Sequence, residues 1–149
     1  MRKIIYLPWQ YSEEIPVLFK NAPEAKEIII PFDETDQQVV WRFSQETKRY
    51  DRSQGGAYHR DEDGLVIQAD NIEVMKTKIK ILDEVGRREI ATKGKGQAFL
   101  FRDGKVVEGK WEKQEGGRTR FFDAQDQEVQ FRPGITWIEV VPLDLKISY

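Results

Sequence analysis

Along most of this chain apolar and polar residues alternate one by one in short runs. Within 105–113, Val107, Gly109 and Trp111 fall on one side of an extended segment, and Glu108, Lys110 and Glu112 on the other. That is the two-residue period of a half-buried β-strand. Val129 and Phe131 oppose Glu128, Gln130 and Arg132 in the same way, while Ile135, Trp137 and Val141 share their side with a charged residue, Glu139. Further short runs rich in β-branched and aromatic residues at 3–7, 27–30, 38–43, 65–68, 72–82, 88–91, 97–101 and 119–122 predict strands. Only 12–20 predicts a helix, with Ser12 as N-cap and Pro16 keeping it short.

The connections carry turn chemistry. Asp103-Gly104 stands between two apolar runs, the strongest short hairpin signal because both residues tolerate positive φ. Gly116-Gly117, residues 123–126 and Arg132-Pro-Gly134 punctuate the following strands at intervals that leave no room for crossover helices. Gly94-Lys-Gly96 lacks the frame of a phosphate-binding loop and predicts a tight turn before the strand at 97. Residues 53–64 read as a longer irregular connection. The expected fold is mainly β, an antiparallel β-sandwich or partly open barrel with at most one short helix. Trp111 and Trp137 are its expected core anchors.

A chain of 149 residues forms one core of ordinary size without staples, so 1–149 is expected to be a single domain. The absence of cysteine excludes disulfides, thiolate metal sites and a cysteine nucleophile. No apolar run approaches the roughly 20 residues that span a bilayer. The net charge of −2 conceals an asymmetry: residues 76–120 hold 13 Lys or Arg against 7 Asp or Glu, between two acidic flanks. On a strand Lys76, Lys78 and Lys80 would project from one face at intervals of roughly 6.6 Å, and Arg87, Arg88, Lys93 and Lys95 could extend that stripe. A solvated face or a lysine-guarded edge strand explains the same pattern. The negative total charge and the lack of a reading motif argue against nucleic acid.

His59 is the single histidine, close in sequence to Arg52, Arg60, Asp61 and Asp63. A histidine oriented by a carboxylate can act as a general base, yet no nucleophile stands beside it. Zinc lacks ligands here, and Asp61-Glu-Asp-Gly64 lacks the full spacing of a calcium loop. No metal or cofactor is expected. The simplest reading is that His59 and Asp61 order their turn-rich loop by hydrogen bonding.

Several segments resemble the C-terminal domain of the YerB-type bacterial lipoproteins. They are Trp41, Tyr50-Asp-Arg52, Tyr58-His-Arg-Asp61, Asp70-Asn-Ile72, Asp83-Glu-Val-Gly-Arg87, Gly94-Lys-Gly96, the run from Phe101 through Lys113, Thr119 through Asp123, and Pro133-Gly-Ile-Thr-Trp-Ile138. The resemblance runs over about 25–142, leaving 1–24 as a lead-in segment. It implies a domain held outside the cytoplasmic membrane by a lipidated N-terminal cysteine that precedes another domain. This chain shows no signal, lipobox cysteine or preceding domain, so an excised domain or a stand-alone relative is expected. The family has no accepted activity and supplies no catalytic residue. Candidate ligand-binding residues are Arg52, His59, Asp61, Asn71, Asp83 and Arg87; candidates for a polyanion are Lys76, Lys78, Lys80, Lys93 and Lys95. The expected function is a non-catalytic binding or interaction domain of a cell-envelope lipoprotein, with an anionic envelope polymer, a membrane surface or a protein as partner. The alternative is a hydrolase of envelope glycan using His59, Asp61 and Asp83 as acid–base groups.

Overall fold

Asp103 and Gly104 both take positive φ, 54° and 73°, and close a two-residue hairpin in which Arg102 pairs with Lys105. The conformation follows from the small or polar side chains that tolerate it. In the computed structural model, which describes residues 9–32, 38–81, 88–90, 94–114 and 116–149, with backbone only for 79–81 and 88–90, this hairpin lies at the centre of one of two main sheets.

The elements in chain order are β1 (Gln10–Tyr11), α1 (Val17–Lys20), β2 (Glu27–Pro31), β3 (Gln38–Ser44), β4 (Arg49–Gln54), β5 (Ala57–Tyr58), β6 (Gln68–Ala69), β7 (Asn71–Thr77), β8 (Ile79–Ile81), β9 (Arg88–Ile90), β10 (Gly94–Arg102), β11 (Lys105–Lys113), β12 (Arg120–Phe122), β13 (Gln130–Phe131) and β14 (Thr136–Pro142). The first sheet has the order β2-β3-β4-β5, with β6 also on β4; the second has the order β12-β11-β10-β7-β14. Pairing is antiparallel except for β14 on β7, with Thr136 opposite Asn71 and Pro142 opposite Thr77, and the short β1–β13 pair. A parallel neighbour needs a long return path, here the whole passage through β8 to β13, so local turn signals carry no trace of it.

The two sheets face each other as a sandwich. Ile28, Ile30, Val39, Trp41 and Tyr50 of the first pack against Ile72, Val74, Phe99, Phe101, Val106 and Val141 of the second. On the second sheet's other face, Met75, Ala98, Leu100, Val107 and Trp111 form another cluster with Phe121, Val129, Phe131 and the lead-in residues Trp9, Ile15 and Phe19. Because β7 and β10 are covered on both faces, Ala98 through Arg102 are all buried, and alternation gives way there to a continuous apolar run.

Arg102 ties the lead-in to this face. Its Nη1 donates to Ser12 Oγ (3.3 Å) and the Gln130 carbonyl (3.1 Å), and its Nη2 to the Ser12 carbonyl (3.2 Å). Ser12 is therefore not the expected N-cap: α1 starts after Pro16 with no side-chain cap bond. Glu73 lies fully buried on β7, its Oε2 without a hydrogen-bond partner among the described residues. Burial pushes its carboxyl well above the usual range, and Arg102 offsets this only in part.

Three local expectations are corrected. Gly94-Lys-Gly96 is not a turn but the start of β10, opposite Lys113, Glu112 and Trp111. The strand expected over 72–82 is interrupted at Lys78, between β7 and β8. Residues 53–64 are not irregular: Gly55 (φ 61°) and Gly56 (φ 84°) turn a tight hairpin joining β4 to β5, and Asp61–Gly64 forms a second turn. The strand expected at 3–7 lies outside the described residues.

Candidate functional site

The β3–β4 register sets Trp41 opposite Arg52, and both side chains are buried. Arg52 reaches across the sandwich to Glu139 of β14, Nη2 to Oε1 at 3.2 Å. Its Nη1 donates to Gln54 Oε1 (3.0 Å) and lies 2.8 Å from His59 Nδ1. The guanidinium carbon sits 5.7 Å from the Trp41 ring centre and 5.1 Å from that of Trp137. Arg52 is thus held against two indoles, an arrangement suited to a planar cation.

Trp137 Nε1 donates to the same Glu139 oxygen that Arg52 meets, and the His59 ring stands edge-on to Trp137 with centres 6.4 Å apart. Burial pushes the Glu139 carboxyl up; the Arg52 charge and the donors from Trp137 and Arg52 pull it back. A guanidinium has only donors, so His59 Nδ1 is the acceptor and a neutral ring carries its proton on Nε2. Arg52 Nε and Trp41 Nε1, both buried, have no acceptor among the described residues.

The hairpin turned by Gly55 and Gly56 brings His59 alongside β4, where its N–H donates to the Arg52 carbonyl (2.9 Å) and its own carbonyl accepts from Ile67 (2.7 Å). Asp61 Oδ1 accepts the N–H groups of Asp63 (2.9 Å) and Leu65 (3.0 Å), a side-chain-capped turn. Asn71 is wholly buried and pins the β13–β14 loop: its Nδ2 donates to the Arg132 carbonyl and its Oδ1 accepts the Arg132 N–H, each at 2.8 Å. Asp70 beside it meets two guanidinium groups, Arg49 at 3.4 Å and Arg132, and accepts the Ile135 N–H at 2.9 Å. A Cβ on Gly134 would lie 2.1 Å from Asp70 Oδ2, so this loop requires glycine.

Between residues 65–68 and the start of β14 lies an open cleft of about 520 Å³, walled by Leu65, Ile67, Ile135 and Trp137, with Arg49, Asp61 and Gln68 among its polar lining. Leu65 is 65% and Ile135 50% exposed, so the cleft presents apolar surface to solvent at both lips.

Of the candidates, Arg52, His59 and Asp61 come together at this end of the sandwich. Asn71 lies behind them as a loop anchor, and Asp83 and Arg87 are outside the described residues. Lys76 and Lys78 sit at the far end of β7 near Lys95, while the Lys80 side chain and Lys93 are outside the description. Arg49, Gln68, Leu65 and the cleft-wall role of Trp137 carry no mark in the sequence. Glu139 does carry one: it is a carboxylate in phase with the half-buried Trp137 and the buried Val141. Among the described residues no group of three His, Cys, Asp or Glu is placed to hold a metal.

The sequence profile of the C-terminal domain of a protein family of unknown function, DUF3048, matches residues 28–138. The chain belongs to this family. It is 30% identical over 140 residues to the "Putative lipoprotein YerB" of Bacillus subtilis strain 168, a match covering 88% of this chain and 41% of that protein. The crystal structure of YerB from Bacillus subtilis superposes with a TM-score of 0.73 at 29% identity, covering 90% of this chain and 47% of that one. The chain therefore spans less than half the length of this relative. The resemblance seen in the motifs and the mainly β sandwich both stand. Within this DUF3048 domain the profile begins at Ile28, after the lead-in residues that cover the second sheet.

Proposed function

We propose that this chain is a non-catalytic binding domain of an envelope lipoprotein, displayed outside the cytoplasmic membrane, and that the cleft beside Trp137 receives a segment of envelope glycan. The observation that carries this reading is the fixed indole: Trp137 is held by its bond to Glu139 and by the Arg52 guanidinium against its ring, yet it also walls a solvent-open cleft. A rigid aromatic wall with apolar lips and a few polar groups suits an amphipathic ring such as a sugar, whose C–H face packs on apolar surface while its hydroxyls meet Arg49, Asp61 and Gln68. The related lipoprotein supports the location.

The hydrolase reading asks for an available acid–base pair. His59 Nδ1 faces Arg52, and Asp61 Oδ1 is engaged by two backbone N–H groups, which favours a positioning role for both; Asp83, the third group of that reading, lies outside the described residues. Titration of the isotopically labelled chain with soluble fragments of bacterial cell-wall glycan separates the two readings. Binding should shift the Trp137 indole N–H and the amides of Leu65, Gln68 and Ile135, with the fragments unchanged by mass spectrometry after prolonged incubation. New reducing ends would establish the hydrolase instead, and no shift at these positions would overturn the cleft as a glycan site.

A further inference from the structure

At the opposite end of β7 from Asn71, the second sheet opens. The pairing of β7 with β10 reaches Met75 opposite Ala98 and stops there, and the next carbonyl, that of Lys76, accepts from Trp111 Nε1 at 2.7 Å. The indole reaches it past Gly96, where a Cβ would lie 2.7 Å from Nε1 and 2.9 Å from the Lys76 oxygen. Glycine at 96 is thus the condition for this wedge, and the parted strands leave a concavity of about 290 Å³. One lip is Lys76-Thr77-Lys78, the other Gly94-Lys95, with Leu143 beside them.

Lys78 and Lys95 are exposed on the two lips, and neither forms an ion pair among the described residues. Among the described residues no acidic side chain lines the concavity; Glu112 stands opposite Lys95 across the β10–β11 pair. The Lys76 ammonium turns to the adjoining surface, 5.5 Å from the Phe99 ring centre, in a neighbouring hollow that Lys146 also lines. On a chain of net charge −2, this is a local concentration of positive charge around a built depression. Ammonium groups act as point charges, which suit a compact, highly charged oxyanion better than a planar, bidentate one.

We propose that the concavity between Lys78 and Lys95 binds a phosphate group carried either on a soluble polymer or on a lipid headgroup. The site is separate from the Trp137 cleft and stands or falls independently of glycan binding there.

The test uses the full chain with linear inorganic polyphosphate and, separately, with phosphatidylglycerol vesicles against phosphatidylcholine vesicles. Binding should weaken at least about tenfold between roughly 50 and 300 mM salt, as screening requires. The Lys78→Gln/Lys95→Gln variant should bind at least about tenfold more weakly, while Lys20→Gln/Lys26→Gln, an equal charge change elsewhere, should stay within about twofold of the parent. Binding of polyphosphate alone identifies a soluble phosphate chain as the source, and binding of the anionic vesicles alone identifies the headgroup. Binding of neither probe, retention of affinity in the Lys78/Lys95 variant, or an equal loss in the control would overturn the proposal.

Discussion

Glu73 and Arg52 are both buried charged residues in the sandwich, and their surroundings give them opposite consequences. Arg52 meets a carboxylate, an amide oxygen, an imidazole nitrogen and two ring faces, whereas Glu73 has one oxygen with no hydrogen-bond partner among the described residues, and the Arg102 charge offsets its burial only in part. With its pKa raised above the ordinary 4.5, Glu73 holds in the native state a proton that the unfolded chain has already released, so stability falls as pH rises from the unfolded pKa toward the folded one. Glu73→Gln removes that loss. Its urea midpoint should match the parent's at about pH 4 and exceed it at about pH 8; equal midpoints at both pH values would show that the carboxyl is not held protonated. Sequence reading reaches part of this residue scale. A single histidine near an arginine flagged Arg52 and His59, which do meet, while Asp61 and Asn71 also hold backbone groups. The partners that decide the roles of Arg52 and Asn71, Glu139 and Arg132, lie 87 and 61 residues away, beyond what local spacing records.

Elements were most legible where a turn dictates its own geometry. Asp103-Gly104 fixed the β10–β11 register from two residues, and Gly55-Gly56 carries the same kind of signal inside a segment otherwise read as irregular. What no local pattern supplies is which strand covers which. The parallel β7–β14 contact rests on a long return path, and the burial of the second sheet's outer face draws on the lead-in, whose short helix displays no buried stripe beyond Phe19. That side chain is 2% exposed, sits under Arg102 and completes the second cluster. Phe19→Ala should therefore cost about 3–5 kcal/mol, the usual loss for emptying an aromatic core site, measured by chemical denaturation. A loss below about 1 kcal/mol would mean that the lead-in is only loosely applied to the sheet and does not complete a core.

At the scale of the whole molecule, the sandwich separates two surfaces of different chemistry: an apolar-lipped cleft at the Arg52 end of β7 and β14, and a cationic concavity where β7 and β10 part. The uneven charge along the sequence anticipated the second in kind, while the first arises from loops that the sheets bring together and has no counterpart in composition. The central claim is that the Trp137 cleft binds envelope glycan without turning it over, and co-sedimentation with purified cell-wall sacculi tests it most directly. The parent chain should sediment with the sacculi, and Leu65→Ser/Ile135→Ser, which trims two exposed apolar lips, should bind at least about tenfold more weakly, a difference of about 1.4 kcal/mol or more, with an unchanged melting temperature. Equal sedimentation of parent and variant, or a parent that stays in the supernatant, would contradict it.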